Sequence, residues 1–162
     1  MALGEGFVGR SYPPTRVYEV SREKIREFAD AIGDPEPAYR DPAAARSLGH
    51  PDVIAPPTFA IVMTLAASEQ VVADPEFGLD YSRVVHGEQR FDYARPLRAG
   101  DRVRVVVSVE SVRSLAGNDL LTTKGEVRAA DGELVLTARS TLVARGDAAG
   151  PPGGAAGSGA VE

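Results

Sequence analysis

The longest apolar segment of the chain lies near its middle, between residues 55 and 72. Within residues 59–67 only Thr64 is polar, and a helix that is apolar nearly all round is typical of one enclosed by other elements. Two prolines precede Thr58, where a missing N–H costs nothing at the start of a helix, and the threonine can cap a free backbone donor. The pattern predicts a central buried helix over residues 55–72, too short and too polar at its end to span a membrane.

A second helix is indicated closer to the N-terminus, after a short strand over residues 16–20. Ser21 is a good N-cap, and Gly33 is a good stop signal. Between them, four apolar residues fall at i, i+3, i+4 and i+7 and form one stripe that must pack on something: Ile25, Phe28, Ala29 and Ile32. The proline-rich segment that follows is predicted to be irregular apart from a short helix over residues 42–48.

After the central helix the pattern alternates with a period of two, which is typical of strands. Four strands are predicted: Arg83 to Tyr93, Arg102 to Val109, Leu120 to Ala129, and Leu134 to Ala144. In the first, strict alternation places Val85, Gly87, Gln89, Phe91 and Tyr93 on one face, and Val84, His86, Glu88, Arg90 and Asp92 on the other. An antiparallel sheet formed by such a meander can bury the apolar helix by curling around it. The pattern therefore predicts an α+β fold.

Composition narrows the possible functions. The 162 residues include no cysteine and two histidines, which excludes disulfides and thiolate nucleophiles and argues against a metal site. A net charge of −5 gives no reason to expect nucleic acid or a membrane as partner. We expect no cofactor, a cytoplasmic location, one domain over residues 1–145, and a disordered Gly/Ala/Pro-rich tail over residues 146–162.

Two stretches around the central helix resemble a known family. They are IGDPEPAYRDPAAARSLGHPDVIAPPTF, from Ile32 to Phe59, and VHGEQRFDYARPLRAGD, from Val85 to Asp101. They are similar to the MaoC-like N-terminal dehydratase family, and most of all to HadA-type and HadC-type subunits of actinobacterial (3R)-hydroxyacyl-ACP dehydratases. The resemblance covers about residues 3–145 and implies the hot-dog fold, in which the sheet wraps around a long central helix.

The resemblance also implies where chemistry would occur. Hydratases of this superfamily carry the motif G-D-x-N-P-x-H just after the first helix, and backbone N–H groups at the start of the central helix hold the thioester carbonyl. Here Gly33, Asp34 and Pro37 match the motif, whereas Glu36 replaces its asparagine and Tyr39 replaces its histidine. Because tyrosine has an ordinary pKa near 10, it is a poor exchange for that histidine.

The predicted site therefore rests on a degenerate motif. Asp34 is the candidate catalytic residue, with a turn-capping role as the alternative. The candidate substrate-binding residues are Tyr39, Pro57, Thr58, Phe59, His86 and Gly87. Tyr39 is interpreted as a wall residue of a substrate channel or interface, or as an acid. His86 is interpreted either as part of a polar outer face or as a residue that meets a partner domain.

Arginines concentrate in one third of the chain: Arg83, Arg90, Arg95, Arg98, Arg102 and Arg104. They are either ordinary solvated strand residues or a docking surface for an acidic acyl carrier protein.

The main hypothesis is a substrate-holding subunit of a (3R)-hydroxyacyl thioester dehydratase. It would pair with a MaoC-like catalytic partner subunit, with a second copy of itself, or both, and act on acyl-ACP or acyl-CoA. A stand-alone hydratase or thioesterase that uses Asp34 is the rival enzyme hypothesis. A third alternative is an acyl-thioester binding protein without catalysis.

Overall fold

A five-stranded antiparallel sheet dominates the structure. The computed structural model describes residues 5–146. The strands are β1 (Tyr18–Glu19), β2 (Val84–Tyr93), β3 (Arg102–Leu115), β4 (Asn118–Ala129) and β5 (Leu134–Ala144), in the spatial order β1-β3-β4-β5-β2. The predicted meander is confirmed, and β3 extends beyond its predicted end at Val109. Among the strands within residues 5–146, β2 pairs with β5 alone, so its other edge lies at the margin of the sheet.

The alternation along β3 shows why these residues form a half-buried strand. Val103, Val105, Val107 and Val109 are buried, whereas Arg102 and Arg104 are exposed. β-branched side chains suit such a pleated surface with one buried face. The buried face of the sheet is therefore the surface on which the central helix packs.

The helices are α1 (Arg22–Ala31), α2 (Pro42–Ser47) and α3 (Ile61–Val72), with short 3-10 helices at Glu5–Phe7, Pro37–Tyr39 and Tyr81–Arg83. Of the α-helices, α3 packs on the sheet, against β3 and β4, whereas α1 and α2 pack against the 3-10 helix Pro37–Tyr39.

The start and the end of α1 are as predicted. The Ser21 hydroxyl accepts the Lys24 N–H at 3.1 Å, and Gly33 adopts a φ of +71°, which glycine reaches without a steric penalty. The predicted apolar stripe is wrong at Ile32, which is 49% exposed. This residue lies past the last helical turn, so the chain carries it away from the core.

The central helix begins later than predicted. α3 starts at Ile61, and the residues before it form tight turns in which the Phe59 N–H donates to Pro56 O at 2.9 Å and the Ile61 N–H to Thr58 O at 3.1 Å. The Tyr93 hydroxyl donates to Pro57 O at 2.7 Å, so this carbonyl is bound across the molecule. The predicted Thr58 cap is also wrong, because Ala60 holds the N-cap position without a side-chain hydrogen bond.

The core forms where this turn and α3 meet the sheet. Phe59 is fully buried, with ring centroids 5.4 Å from Phe28 and 6.5 Å from Tyr18. On α3, the buried apolar side chains are Met63, Ala67 and Val71. The predicted enclosure on all sides is wrong, because Leu65 is 54% exposed. One apolar face of α3 therefore remains uncovered in the isolated chain.

A buried ion pair fixes the connection between β2 and β3. The guanidinium of Arg95 donates to both carboxylate oxygens of Asp101, at 2.8 and 3.1 Å, and to Glu133 at 2.9 Å. Asp101 also accepts the backbone N–H of Arg98 at 2.9 Å. These hydrogen bonds to Asp101 and Glu133 raise the pKa of Arg95 above its ordinary value. The end of β2 is thereby tied to the start of β3 and to the β4–β5 hairpin.

Among residues 5–146 no helix is long and apolar enough to cross a membrane. The predicted tail over residues 146–162 lies outside the described residues apart from Gly146, so the domain boundary stays a prediction.

We predict that Asp101→Asn lowers the free energy of unfolding by about 3 kcal/mol, because it removes the buried carboxylate and leaves the mostly buried Arg95 charge with the more exposed Glu133 as its remaining partner. The matched control is Glu133→Gln, which removes a more exposed partner of the same arginine and is expected to cost less than about 1 kcal/mol. Urea unfolding of both variants measures the difference. Equal losses in the two would show that Asp101 is not the main anchor.

Candidate functional site

The uncovered face of α3 forms one wall of an open cleft. The cleft has a volume of about 650 Å³, within the range of small-molecule sites. β2 and β5 form the opposite wall. The apolar residues that line the whole cleft are Ile61, Leu65, Val72, Val84, Phe91 and Leu142. The remaining lining residues are Thr58, Ser68, Glu69, Tyr81, His86, Gln89 and Ser140. The lining is therefore mainly apolar, with a few polar groups.

The cleft follows the length of α3, which is about 18 Å for 12 residues. The hydrogen bond from Tyr93 to Pro57 O places the end of β2 beside the turn that precedes α3, and Gln89 lies beside Thr64 and Leu65. β2 and α3 therefore run in opposite directions. Thr58 lies at one end of the cleft and Val72 at the other.

A β-bulge in β2 decides which side chains face the cleft. The register with β5 shifts between His86 and Glu88, so Gly87 is the extra residue. The prediction that His86 shares a face with Glu88 and Arg90 is wrong: His86 lines the cleft with Gln89, while Glu88 and Arg90 lie on the other face of the sheet. Strict alternation fails here because a bulge inserts one residue and inverts the faces on one side of it.

Gly87 suits this bulge because the chains approach closely there. A Cβ at this position would lie 3.1 Å from Cγ2 of Val143 and 3.3 Å from the carbonyl oxygen of Thr141, which is tighter than ordinary van der Waals contact. A glycine inside a strand is a known signal for a bulge. The sequence therefore contained a signal for the orientation of His86. The predicted role of Gly87 in substrate binding stays a prediction.

Three polar side chains meet in the middle of the cleft. His86 Nε2 lies 3.0 Å from Ser140 Oγ, and Gln89 is the direct cross-strand partner of Ser140. The Nε2 of Gln89 is buried and has no hydrogen-bond partner among the described residues. His86 was predicted as a site residue, whereas Gln89 and Ser140 were not: Gln89 lies in the segment that resembles the family but was given no role, and Ser140 lies outside both segments.

The motif residues lie in the turn after α1. Asp34 Oδ1 accepts the Glu36 N–H at 3.1 Å, and Glu36 Oε1 accepts the Ala38 N–H at 3.2 Å. Both carboxylates thus shape the short 3-10 helix that carries Tyr39. These contacts are those of the alternative in which Asp34 caps the turn. The catalytic role of Asp34 stays a prediction.

Tyr39 is 8% exposed and packs in the hydrophobic core. Burial raises the pKa of its hydroxyl, and the nearby charges of Asp34 and Glu36 raise it further. A phenol in this environment holds its proton more tightly than a free tyrosine. The side chain is therefore poorly suited to donate a proton near neutral pH.

The residues at the start of α3 divide between core and cleft. Thr58 lines the cleft and is exposed, whereas Phe59 is in the core and its N–H is bonded within the turn. The Pro57 carbonyl accepts the Tyr93 hydroxyl, and burial raises the pKa of that tyrosine to about 12. Tyr39, which was predicted to bind substrate, does not line this cleft.

Most of the clustered arginines have carboxylate partners. Arg90 pairs with Asp92, Arg102 with Glu19, and Arg95 and Arg98 with Asp101. These pairs favour the interpretation of ordinary strand surfaces and structural anchors. A carrier-protein docking surface stays a prediction.

Comparisons with known proteins agree with this geometry. Residues 6–138 match the family described as FAS1-like, dehydratase domain region. A UPF0336 protein of Streptomyces avermitilis is 63% identical over 145 residues, which cover 90% of this chain and 97% of the relative. A UPF0336 protein of Saccharopolyspora erythraea is 58% identical over 153 residues, with 94% and 98% covered.

Solved structures share the architecture. A MaoC-like dehydratase superposes with a TM-score of 0.82 at 34% identity over 88% of this chain, and this chain spans 43% of that longer protein. The HadBC (3R-hydroxyacyl-ACP dehydratase) complex from Mycobacterium tuberculosis superposes with a TM-score of 0.69 at 34% identity, with 82% of this chain and 92% of the other covered. The curled sheet and its helix are the hot-dog fold, and the chain belongs to the MaoC-like hot-dog dehydratase family.

Proposed function

We propose that this chain is the substrate-holding subunit of a (3R)-hydroxyacyl thioester dehydratase or hydratase. The observation that carries the proposal is the long apolar cleft along α3, combined with a buried tyrosine where the family motif has its histidine. The cleft holds the acyl chain of a thioester on CoA or on a carrier protein. A MaoC-like partner supplies the catalytic Asp and His.

The chemistry explains why a partner is needed. In dehydration, a base removes the C2 proton of the 3-hydroxyacyl thioester, the C2–C3 double bond forms, and the C3 hydroxyl leaves as water after receiving a proton from an acid. Asp34 of the motif is present, but Tyr39 replaces the histidine, and burial raises the pKa of its hydroxyl above the ordinary value of a tyrosine. The chain by itself lacks one of the two proton-transfer groups of the motif.

The cleft supports the binding half of the proposal. Its apolar residues lie on both walls and near both ends, so an extended hydrocarbon chain contacts them along most of α3. Burial of each methylene of such a chain contributes about 0.8 kcal/mol. Such a cleft favours an acyl chain over a small polar substrate.

The need for a second unit is supported from two sides. The similar HadBC protein is a complex, and the MaoC-like dehydratase is a chain of which this protein spans 43%. Within this chain, Leu65 and Tyr81 are exposed apolar side chains at the cleft, and the outer edge of β2 is unpaired by the described strands. A partner that binds at that edge covers the exposed apolar side chains and pairs with the free edge of β2.

We predict that the isolated chain hydrates a 2-enoyl-CoA no faster than the buffer background, since it lacks the motif histidine. Hydration is measured as the loss of the conjugated thioester absorbance. Adding a MaoC-like protein with an intact G-D-x-N-P-x-H motif, from a neighbouring reading frame, is expected to restore turnover.

Robust turnover by the isolated chain that Asp34→Asn abolishes would contradict the proposal and establish the stand-alone hydratase. Release of free CoA by the isolated chain would instead establish a thioesterase.

We predict that Leu65→Trp weakens binding of a long-chain acyl-CoA thioether by roughly tenfold or more, because the indole fills the cleft. Leu48→Trp is the matched control, because Leu48 is also exposed but does not line the cleft. Calorimetry gives both affinities. Equal affinities for the two variants would place the acyl chain elsewhere.

We predict that the chain self-associates or pairs with its partner through the edge of β2. Val85→Glu, on this strand, is expected to weaken association by roughly tenfold, because a charge on an edge strand opposes pairing. Leu115→Glu changes an equally apolar exposed residue at the far end of β3 and is expected to have no effect. Sedimentation velocity measures both, and a monomer for the unchanged protein with and without the partner would refute the interface.

A further inference from the structure

A small void lies between α3 and the sheet, behind the wall of the cleft. Its volume is about 10 Å³, which is about the minimum that one water molecule requires and too little for a larger ligand. The void shares part of its lining with the cleft and is bounded elsewhere by residues of α3, β4 and β5. The shared residues are Leu65, Ser68, Gln89 and Ser140, and the others are Thr64, Gly125 and Ala138.

Small residues of the sheet leave this space. Gly125 on β4 and Ala138 on β5 are cross-strand partners, and both are buried. A Cβ at Gly125 would lie 3.4 Å from Cγ1 of Val105 and 3.9 Å from the carbonyl oxygen of Ala138, which is ordinary van der Waals contact. A methyl group at Gly125 therefore fits beside the void without a clash.

The lining of the void is polar as well as small. The Nε2 of Gln89 is buried and no described residue accepts a hydrogen bond from it, although buried donors are nearly always paired in folded proteins. The hydroxyls of Thr64 and Ser68 donate to carbonyl oxygens of their own helix, each at 3.0 Å. Their hydrogens are therefore engaged, whereas each hydroxyl oxygen can still accept a hydrogen bond.

We infer that one water molecule occupies the void and links Gln89 to α3. The Gln89 Nε2 donates to the water oxygen. The water donates its hydrogens to hydroxyl oxygens on the same walls, of which Thr64, Ser68 and Ser140 each carry one. About three hydrogen bonds are usual for a buried water. The site goes beyond the proposed function and does not rest on it.

Other occupants of the void do not match its walls. None of the described residues that line it is charged, so a buried ion would have no partner of opposite charge. A carbon of an acyl chain accepts no hydrogen bond and would leave the Gln89 amide unpaired. Water both accepts from the amide and donates to the hydroxyl oxygens.

The water extends the contacts of α3 toward the other wall of the cleft. The helix packs on β3 and β4, whereas Gln89 belongs to β2 and Ser140 to β5. A water bonded to Gln89 and to a hydroxyl of α3 connects the helix to β2. It therefore joins the two walls of the cleft at the level of Gln89.

A high-resolution crystal structure of the unchanged full-length protein tests the site directly. We expect a water peak roughly 2.7–3.2 Å from Gln89 Nε2, and at a similar distance from at least one hydroxyl oxygen of Thr64, Ser68 or Ser140. A void without electron density would overturn the site. A Gln89 amide bonded to a carbonyl of the protein would overturn it as well.

Urea unfolding tests the site in solution, and the direction of the effect is decisive. Gln89→Met keeps the length of the side chain and removes the amide. We expect it to raise the unfolding equilibrium constant roughly fivefold, because the water loses a hydrogen bond. Removal of a donor that has no partner would instead lower this constant, and that result would overturn the site.

Gln70→Met is the matched control. Gln70 lies on α3, donates to Ala67 O at 3.4 Å, and lines neither the cleft nor the void. We expect this variant to change the unfolding equilibrium constant roughly twofold or less. An equal effect of Gln89→Met and Gln70→Met would also overturn the site.

Gly125→Ala provides an independent test, since its added methyl group takes up space in the void and displaces the water. We expect it to raise the unfolding equilibrium constant roughly fivefold, because Gln89 is then left without a partner. In the Gln89→Met protein the same substitution is expected to have no such cost, because the amide is already absent. Additive effects of the two substitutions would overturn the water site.

Discussion

The feature on which the rest of the structure depends is a helix that is apolar on more sides than one sheet can cover. Met63, Ala67 and Val71 pack on the sheet, and this contact satisfies one face of α3. The opposite face still carries Leu65, more than half exposed. A helix of this kind needs a second layer of structure on the face that the sheet does not cover. In this chain, part of that face borders the open cleft instead. The same excess of apolar surface that makes the fold assemble therefore also provides a place for a hydrocarbon ligand and a reason to bind a partner.

Two local features shape the opposite wall of the cleft, a β-bulge within β2 and an ion pair just after it. The bulge at Gly87 turns His86 toward the cleft, beside Gln89 and Ser140. The ion pair between Arg95 and Asp101 then holds the far end of the strand. An edge strand that pairs on one side only has fewer hydrogen bonds to fix its position, so such anchors matter more there than in the middle of the sheet. The bulge therefore sets the direction of the polar groups in the cleft, and the ion pair holds the end of the strand that presents them.

Local signals predicted much of this architecture. The alternation in β3, the Ser21 cap and the Gly33 stop are properties of neighbouring residues, and the structure contains all three. The start of α3 was not predicted in this way: tight turns precede the helix, and the Pro57 carbonyl within them accepts a hydrogen bond from Tyr93 across the molecule. The orientation of His86 likewise depends on how β2 pairs with β5. The segment that resembles the family contains Gln89, but the burial of its amide is visible only when all of its neighbours are placed.

The position of Tyr39 connects the fold to the division of labour that we propose. A histidine that transfers protons must reach its substrate, whereas Tyr39 is turned into the core with 8% of its surface exposed. An aromatic side chain buried in this way contributes packing, and its hydroxyl loses acidity through the same burial. The motif position thus supports the turn around Asp34 and Glu36 instead of presenting an acid. The cleft along α3 does not depend on that position, since Tyr39 does not line it. A chain of this fold can therefore lose proton transfer at Tyr39 and still hold a substrate, provided that another subunit brings the missing group to the end of the cleft.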